Sequence, residues 1–283
     1  MTHSNKKTHA VLAKKTFGFS NLARLYAKIR VTRLGQTEPE KTQAAVLNKL
    51  IRRAQFTKFG RAHGFQKIID AQTYQKKVPV RAYKEFWEDW WHLAYPHLID
   101  QTWPGRIPYF SMTSGTTTGR SKYIPYTPEM KRAAARGFVD LLCFHLVMRP
   151  ESRVLDGDIL CLTGPTDLGR ATEGVETGAV SAITIGGLPS WISKRVLPPP
   201  ELAKTKNWEE KIRRLAPLSV EHDVRVLGGS PNWLLIFLQE VARLNPDASS
   251  KLVDWYQNLE LIVHGGVNFT PYRQRFANLM EKG

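Results

Sequence analysis

Val224-Arg225-Val226-Leu227-Gly228-Gly229-Ser230-Pro231 is the stretch that decides the architecture. Val224 to Leu227, with two valines and a leucine around Arg225, reads as a short strand. It runs into a glycine pair, and Ser230-Pro231 then opens a long apolar helix reaching Leu244, with proline where a missing amide costs little. The plan recurs downstream. Leu259-Glu260-Leu261-Ile262-Val263 leads into His264-Gly265-Gly266, and a helix is predicted from near Pro271. Two strand–Gly-Gly–helix units in succession predict an α/β fold with a helix-covered, mostly parallel sheet. Ligands of such sheets bind at the carboxyl ends of the strands, where these glycines lie.

Working outward, Asp158–Thr163 and Ala179–Ile185 are predicted as strands joined by a Gly-rich connection, and Pro198–Pro200 as a loop or linker. Upstream, Ala44, Val46, Leu47, Leu50, Ile51 and Ala54 recur at helical spacing behind Pro39. The aromatic run from Tyr83 to Trp103, with Trp87, Trp90, Trp91 and Tyr95, is expected to pack rather than to form a ligand cage. Ile107 to Tyr126 is predicted as strand, Gly/Ser/Thr-rich loop, strand. Thr127-Pro128-Glu129 then supplies a cap, a first-turn proline and a first-turn acid. The helix that follows carries Met130, Ala134, Phe138, Leu141, Leu142 and Leu146 on one face and stops before Pro150.

The chain has 283 residues, 42% hydrophobic and 23% charged, which excludes a wholly disordered or fibrous protein and allows one large domain or two medium ones. Uncharged apolar stretches fall short of the roughly 20 residues a membrane helix needs. Two cysteines, Cys143 and Cys161, are too few for a disulfide scaffold and suit a reducing compartment, so a soluble cytoplasmic protein is expected. Of the net charge of +16, half lies in residues 1–37: Lys6, Lys7, Lys14, Lys15, Arg24, Lys28, Arg30 and Arg33, with no acid before Glu38. Such a leader could serve as a transit peptide or a nucleic-acid arm. The favoured reading is a solvated basic terminus with a short helix from about Asn21 to Arg33. No zinc-finger spacing, ribonucleoprotein motif or recognition helix supports nucleic acid as a partner.

The segment richest in chemistry is Thr113-Ser114-Gly115-Thr116-Thr117-Thr118-Gly119-Arg120-Ser121-Lys122. Glycines let backbone amides approach an oxyanion, hydroxyls donate hydrogen bonds, and lysine adds charge, so the run can cradle phosphates. Each hydrogen bond to a charged group contributes about 1.5–3 kcal/mol. It is not a Walker A loop, because the glycine spacing differs, Lys122 comes three residues after Gly119, and Tyr123-Ile124-Pro125-Tyr126 reads as strand rather than helix. Its order resembles the phosphate-binding loop of acyl-adenylate-forming enzymes.

More narrowly, the chain resembles the Gretchen Hagen family of auxin-responsive acyl acid amido synthetases. Besides the loop, the resemblance rests on Thr57-Lys58-Phe59-Gly60-Arg61 with His63-Gly64-Phe65, on Val78-Pro79-Val80-Arg81-Ala82-Tyr83, and on Glu176-Thr177-Gly178-Ala179-Val180-Ser181. Gly229-Ser230-Pro231-Asn232-Trp233 and His264-Gly265-Gly266 with Pro271-Tyr272 complete it, in the family's order over roughly residues 40 to 280. The resemblance implies ATP and Mg2+ as cofactors and a carboxylic acid and an amino acid as substrates. The acid would be activated as an acyl adenylate and passed to the amine. It further implies that Thr113, Ser114, Gly115, Thr116, Thr117 and Gly119 hold the ATP phosphates, with Lys122 the catalytic lysine closing the motif. Gly265 and Gly266 would form backbone wall against the adenine, although a tight strand-to-helix turn explains them equally well. The helix from Met130 to Met148 would line the acyl pocket.

The match stops before the family's Ser-Glu and Tyr-Arg-x-Gly-Asp motifs, which serve the magnesium-bound nucleotide and the ribose; Leu155-Asp156-Gly157-Asp158 lies too early to replace the latter. The expected organisation is therefore a basic leader over 1–37 and an incomplete N-terminal adenylation domain over 38–283, a poor or inactive synthetase alone. Two alternatives stand beside it: a ligase forming a thioester with coenzyme A, and an inactive, truncated nucleotide- or anion-binding protein. No protein-built metal site is expected, since the histidines lack ligand spacing. His222-Asp223 is read as a structural loop pair and Cys143 as packing. The missing Gly-x-Ser-x-Gly elbow disfavours a serine hydrolase.

Overall fold

A computed structural model describes residues 4–113, 121–164, 168–244 and 251–280, with side chains described from residue 20 onward. Eight strands are present among them: β1 (Tyr109–Met112), β2 (Tyr123–Tyr126), β3 (Asp158–Cys161), β4 (Gly169–Thr172), β5 (Val175–Gly178), β6 (Val196–Leu197), β7 (Val224–Gly229) and β8 (Leu261–His264). The chain divides into two compact units. One comprises residues 1–32, 133–167 and 184–283, the other residues 33–132 and 168–183.

The first unit is built on a sheet of order β6-β3-β7-β8, parallel at every pairing. Val226 and Leu227 show why its strands read as continuous apolar runs. Leu227 packs with Leu160, Leu215, Leu234 and Phe237. Val226 packs with Ile159, Leu142, Leu146 and Ala27 on the opposite face. Both faces are covered, as parallel sheets require. The first cluster draws on the helices Trp208–Val220 and Pro231–Leu244, the second on the helix Pro128–Met148 and on α1 (Ser4–Gly35). Gly229 suits this close packing, since a Cβ there would lie 3.1 Å from Leu162 Cβ and 3.3 Å from Leu234 Cδ2, tighter than ordinary contact.

α1 is longer than the short helix expected, and its described part is anchored rather than solvated. Ala27 is fully buried. Arg30 grips Asp140 with two bonds of 2.7 and 2.8 Å, and the Arg24 guanidinium donates to the Pro150 and Ser152 carbonyls. Two of its basic residues, Arg24 and Arg30, thus find acceptors elsewhere in the chain, which the local sequence could not reveal.

The second unit carries a mixed sheet of order β2-β1-β5-β4. β1 runs antiparallel to β2 and parallel to β5, and β4 closes an antiparallel hairpin with β5. Gly174 turns that hairpin at φ +70°, a conformation glycine adopts freely. α2 (Pro39–Ala54) buries Ile51 and Ala54 against Phe59, Phe65 and Ile68. The aromatic run packs as expected: Phe59 meets Phe65 edge-on at 5.8 Å, stacks on Phe86 at 5.7 Å and meets Trp90 edge-on at 4.9 Å.

Two expectations change at the level of elements. Ala179–Ile185 is not a strand. Residues Val180–Ile185 are helical with Ala182 and Ile183 buried, and the strand lies earlier, at β5. A short apolar run fits either state, and here the pairing of Val175–Gly178 with β1 takes the strand position. The connection read as Gly-rich contains β4. Pro198 and Pro199 form the expected loop, a short one, because Pro200 already opens a helical turn, Pro200–Ala203.

Candidate functional site

In the second unit, β1 and β2 hold the two ends of the hydroxyl-rich loop. Their register pairs Met112 with Tyr123, and one step beyond, Thr113 and Lys122 close the neck. The Thr113 amide donates to the Lys122 carbonyl and the Lys122 amide donates to Thr113 Oγ1, both at 3.2 Å. Ser114, Gly115, Thr116, Thr117 and Gly119 lie outside the described residues. The neck therefore brings together two of the predicted residues, one a hydroxyl donor and the other a cation.

Lys122 is half-buried. Its ammonium lies 5.5 Å from the centre of the Tyr83 ring, and no carboxylate pairs with it among the described residues. Tyr83 fixes the same strand end, because its hydroxyl accepts from the Tyr123 amide at 2.9 Å and donates to the Tyr123 carbonyl at 3.4 Å. Burial pushes the Tyr83 hydroxyl above its ordinary pKa, keeping it a neutral donor and acceptor. An unpaired cation beside the mouth of a loop has an obvious complement in an anion. Tyr83 was quoted in the sequence only as part of a motif, and nothing in its spacing marks it as the support of Lys122.

In the first unit, the carboxyl ends of β3, β7 and β8 share one edge of the sheet, since Cys161 stands opposite Gly228, and Gly229 opposite His264. Gly265 and Gly266 follow β8 there. Gly266 has φ +86°, so backbone conformation alone accounts for its glycine. Gly265 has no such φ, and a Cβ added to it would meet nothing within 4 Å. His264 stacks on Phe269 at 4.0 Å beside them. Asn232, in the first turn of the helix after Gly229, has its Oδ1 buried without a partner among the described residues. This idle acceptor was not singled out from the sequence. At the same edge the fully enclosed Lys211 donates to the Thr163, Gly164 and Ala203 carbonyls, at 3.3, 3.3 and 2.9 Å, and burial lowers its pKa. Its three donors are spent on the backbone, which makes it a brace.

The helix Pro128–Met148 spends its apolar face on packing: Leu142, Cys143 and Leu146 are buried, with Phe138 and Leu141 against the same cluster. Neither cysteine is poised as a nucleophile, because burial raises the Cys143 thiol and pushes Cys161 up to about 11. His222 and Asp223 lie at the amino ends of the strands, away from the glycines. His222 Nδ1 lies 2.8 Å from Asp158 Oδ2, and Asp223 accepts from Arg225 and Asn258. Among the described residues no three His, Cys, Asp or Glu side chains group as a metal site, and no helix is long and apolar enough to cross a membrane.

Comparison with known proteins bears on this geometry. Residues 30–228 match the GH3 family N-terminal domain. Among solved structures, AtGH3.15 acyl acid amido synthetase in complex with 2,4-DB superposes with a TM-score of 0.55 at 20% identity, over 74% of this chain and 36% of that one. A second structure, GH3.15 acyl acid amido synthetase, gives a TM-score of 0.58 at 18% identity, over 78% of this chain and 39% of the other. The likeness is one of fold, and the chain spans well under half the length of these structures. No curated protein matches.

Proposed function

Because the chain belongs to the GH3 family, we infer that it is the amino-terminal part of an ATP-dependent acyl acid amido synthetase, with the β1–β2 loop as its phosphate grip. The observation that carries this reading is Lys122, a half-buried cation with no carboxylate partner among the described residues, fixed by Thr113 and Tyr83 at the neck of a Ser/Thr/Gly loop. In the reaction, an oxygen of the acid's carboxylate attacks the α-phosphorus of ATP and pyrophosphate leaves. The amine of an amino acid then attacks the acyl carbon, AMP leaves, and the amine gives up a proton. Lys122 and Thr113, with Ser114 to Gly119, would hold the phosphates and offset the charge that builds on them. Mg2+ would enter with those phosphates, its usual mode of binding.

The test is a calorimetric titration with magnesium-ATP, run on the protein and on Lys122→Ala. Binding that falls about tenfold or more in the variant, the worth of one charge-assisted contact, supports the reading. Equal affinity in both removes Lys122 from the site. Binding by neither places the nucleotide site outside the reach of these residues.

A further inference from the structure

We propose that α1 is a membrane-surface helix, laying an exposed apolar stripe and its surrounding positive charge on an anionic lipid leaflet. Leu22, Leu25, Tyr26 and Ile29 follow the i, i+3, i+4, i+7 spacing of one helical face. They stand 66%, 55%, 52% and 44% exposed. The opposite face is already committed. Ala27 is fully buried, Ala23 and Val31 pack on the same cluster, and Arg24 and Arg30 are tied to the Pro150 and Ser152 carbonyls and to Asp140. The helix is thus apolar on two sides, one serving the core and the other left in water. Four large apolar side chains in line on one helix form a contiguous patch, unlike the single exposed apolar residues common on monomers.

Charge selects the occupant. Residues 1–37 carry eight lysines and arginines and no acid; with Arg24 and Arg30 committed to the opposite face six remain, and Lys28 is exposed within the stripe's own span. A second copy of the helix would bring two such segments together against their mutual repulsion. Nucleic acid would answer the charge but leave the stripe in water. An anionic bilayer surface answers both, taking the apolar face into the boundary region while its headgroups attract the basic residues. Tyr26 at the edge of the stripe has the half-polar ring that such boundaries favour. The helix lies on the leaflet and does not cross it.

The experiment is flotation of the whole protein with vesicles of phosphatidylcholine alone or with about a third phosphatidylserine, at low and raised salt. Two variants accompany it: Leu22→Ser with Leu25→Ser and Ile29→Ser, and Lys14→Glu with Lys15→Glu. All three serine sites are exposed, and circular dichroism and a thermal melt verify that the variants stay folded. The expected result is recovery with the anionic vesicles only, weakened about tenfold or more by either variant and reduced by salt. Three results overturn the proposal: no recovery on anionic vesicles at low salt, equal recovery on neutral vesicles, or undiminished binding by the serine variant. The last would mean attachment by charge alone, the behaviour of a nucleic-acid arm.

Discussion

The two sheets of this protein spend their side chains differently. In the parallel sheet β7 is buried from Val224 through Gly228, and consecutive residues serve clusters on opposite faces. In the mixed sheet β4 is exposed from Gly169 through Ala171, and β2 leaves Ile124 about a third exposed. A strand packed on both faces leaves few side chains free, so the open groups of the parallel sheet lie at its strand ends, near Gly265 and Asn232. The mixed sheet offers the end of a hairpin, where Thr113 and Lys122 are held by strand pairing while their side chains stay available. One sheet is a packed scaffold with open strand ends, and the other holds the two ends of a loop.

The strongest challenge to this contrast is truncation of one residue in each sheet. Leu227→Ala removes a fully buried side chain packed from several directions, and should cost about 2–5 kcal/mol in urea unfolding. Ile124→Ala, on the exposed strand, should cost well under about 1 kcal/mol. Equal losses would erase the distinction between the sheets.

A smaller effect separates packing from site within the rim of the parallel sheet. Gly229→Ala forces a methyl to within 3.2 Å of the Leu162 carbonyl oxygen, and should cost about 1–3 kcal/mol in thermal unfolding. Gly265→Ala meets open space and should leave the melt unchanged. If Gly265 borders the nucleotide, the same alanine weakens magnesium-ATP binding while stability holds. A destabilised Gly265→Ala would instead make that glycine a turn residue.

Legibility in the sequence follows the same division. β7, β8 and the helix from Pro231 were readable because burial on both faces makes the strand runs mostly apolar, Arg225 and Glu260 excepted, and Gly-Gly marks where they end. The hairpin of β1 and β2 was readable from its loop composition, and the helix after it from Thr127-Pro128-Glu129, where the Thr127 hydroxyl caps the Met130 amide at 3.1 Å. β4 was not readable: Gly169-Arg170-Ala171-Thr172 has no apolar alternation, and pairing with β5 alone makes it a strand. Val180–Ile185 misled because its β-branched residues look like a strand, while tertiary pairing had already given that role to Val175–Gly178. Within the candidate site, Thr113, Lys122 and the glycines stood out by residue type. Tyr83 and Asn232 did not, because what distinguishes them is a hydrogen bond to Tyr123, far along the chain, and an acceptor left without one.

The smallest expected effect concerns how firmly α1 is tied to its unit. The Arg30 guanidinium, hydrogen-bonded to Asp140, holds that carboxyl below its ordinary value of 3.8. A carboxylate whose pKa is depressed on folding contributes stability that is complete above 3.8 and lost as pH falls through the lower folded value. Asp140→Asn removes that contribution. Because both side chains are 20–27% exposed, solvent screens the pair, and the variant should lose only about 1 kcal/mol or less at neutral pH. The gap between the two proteins should close as the pH is taken below 3.8, where the native carboxyl also becomes neutral. The corresponding pair in the second unit, Arg53 with Glu129, is 50% and 32% exposed, so Arg53→Gln should shift the urea midpoint still less. A pH-independent deficit in Asp140→Asn would mean that the charges of Arg30 and Asp140 contribute nothing, leaving α1 to Ala27, its apolar neighbours and the Arg24 bonds.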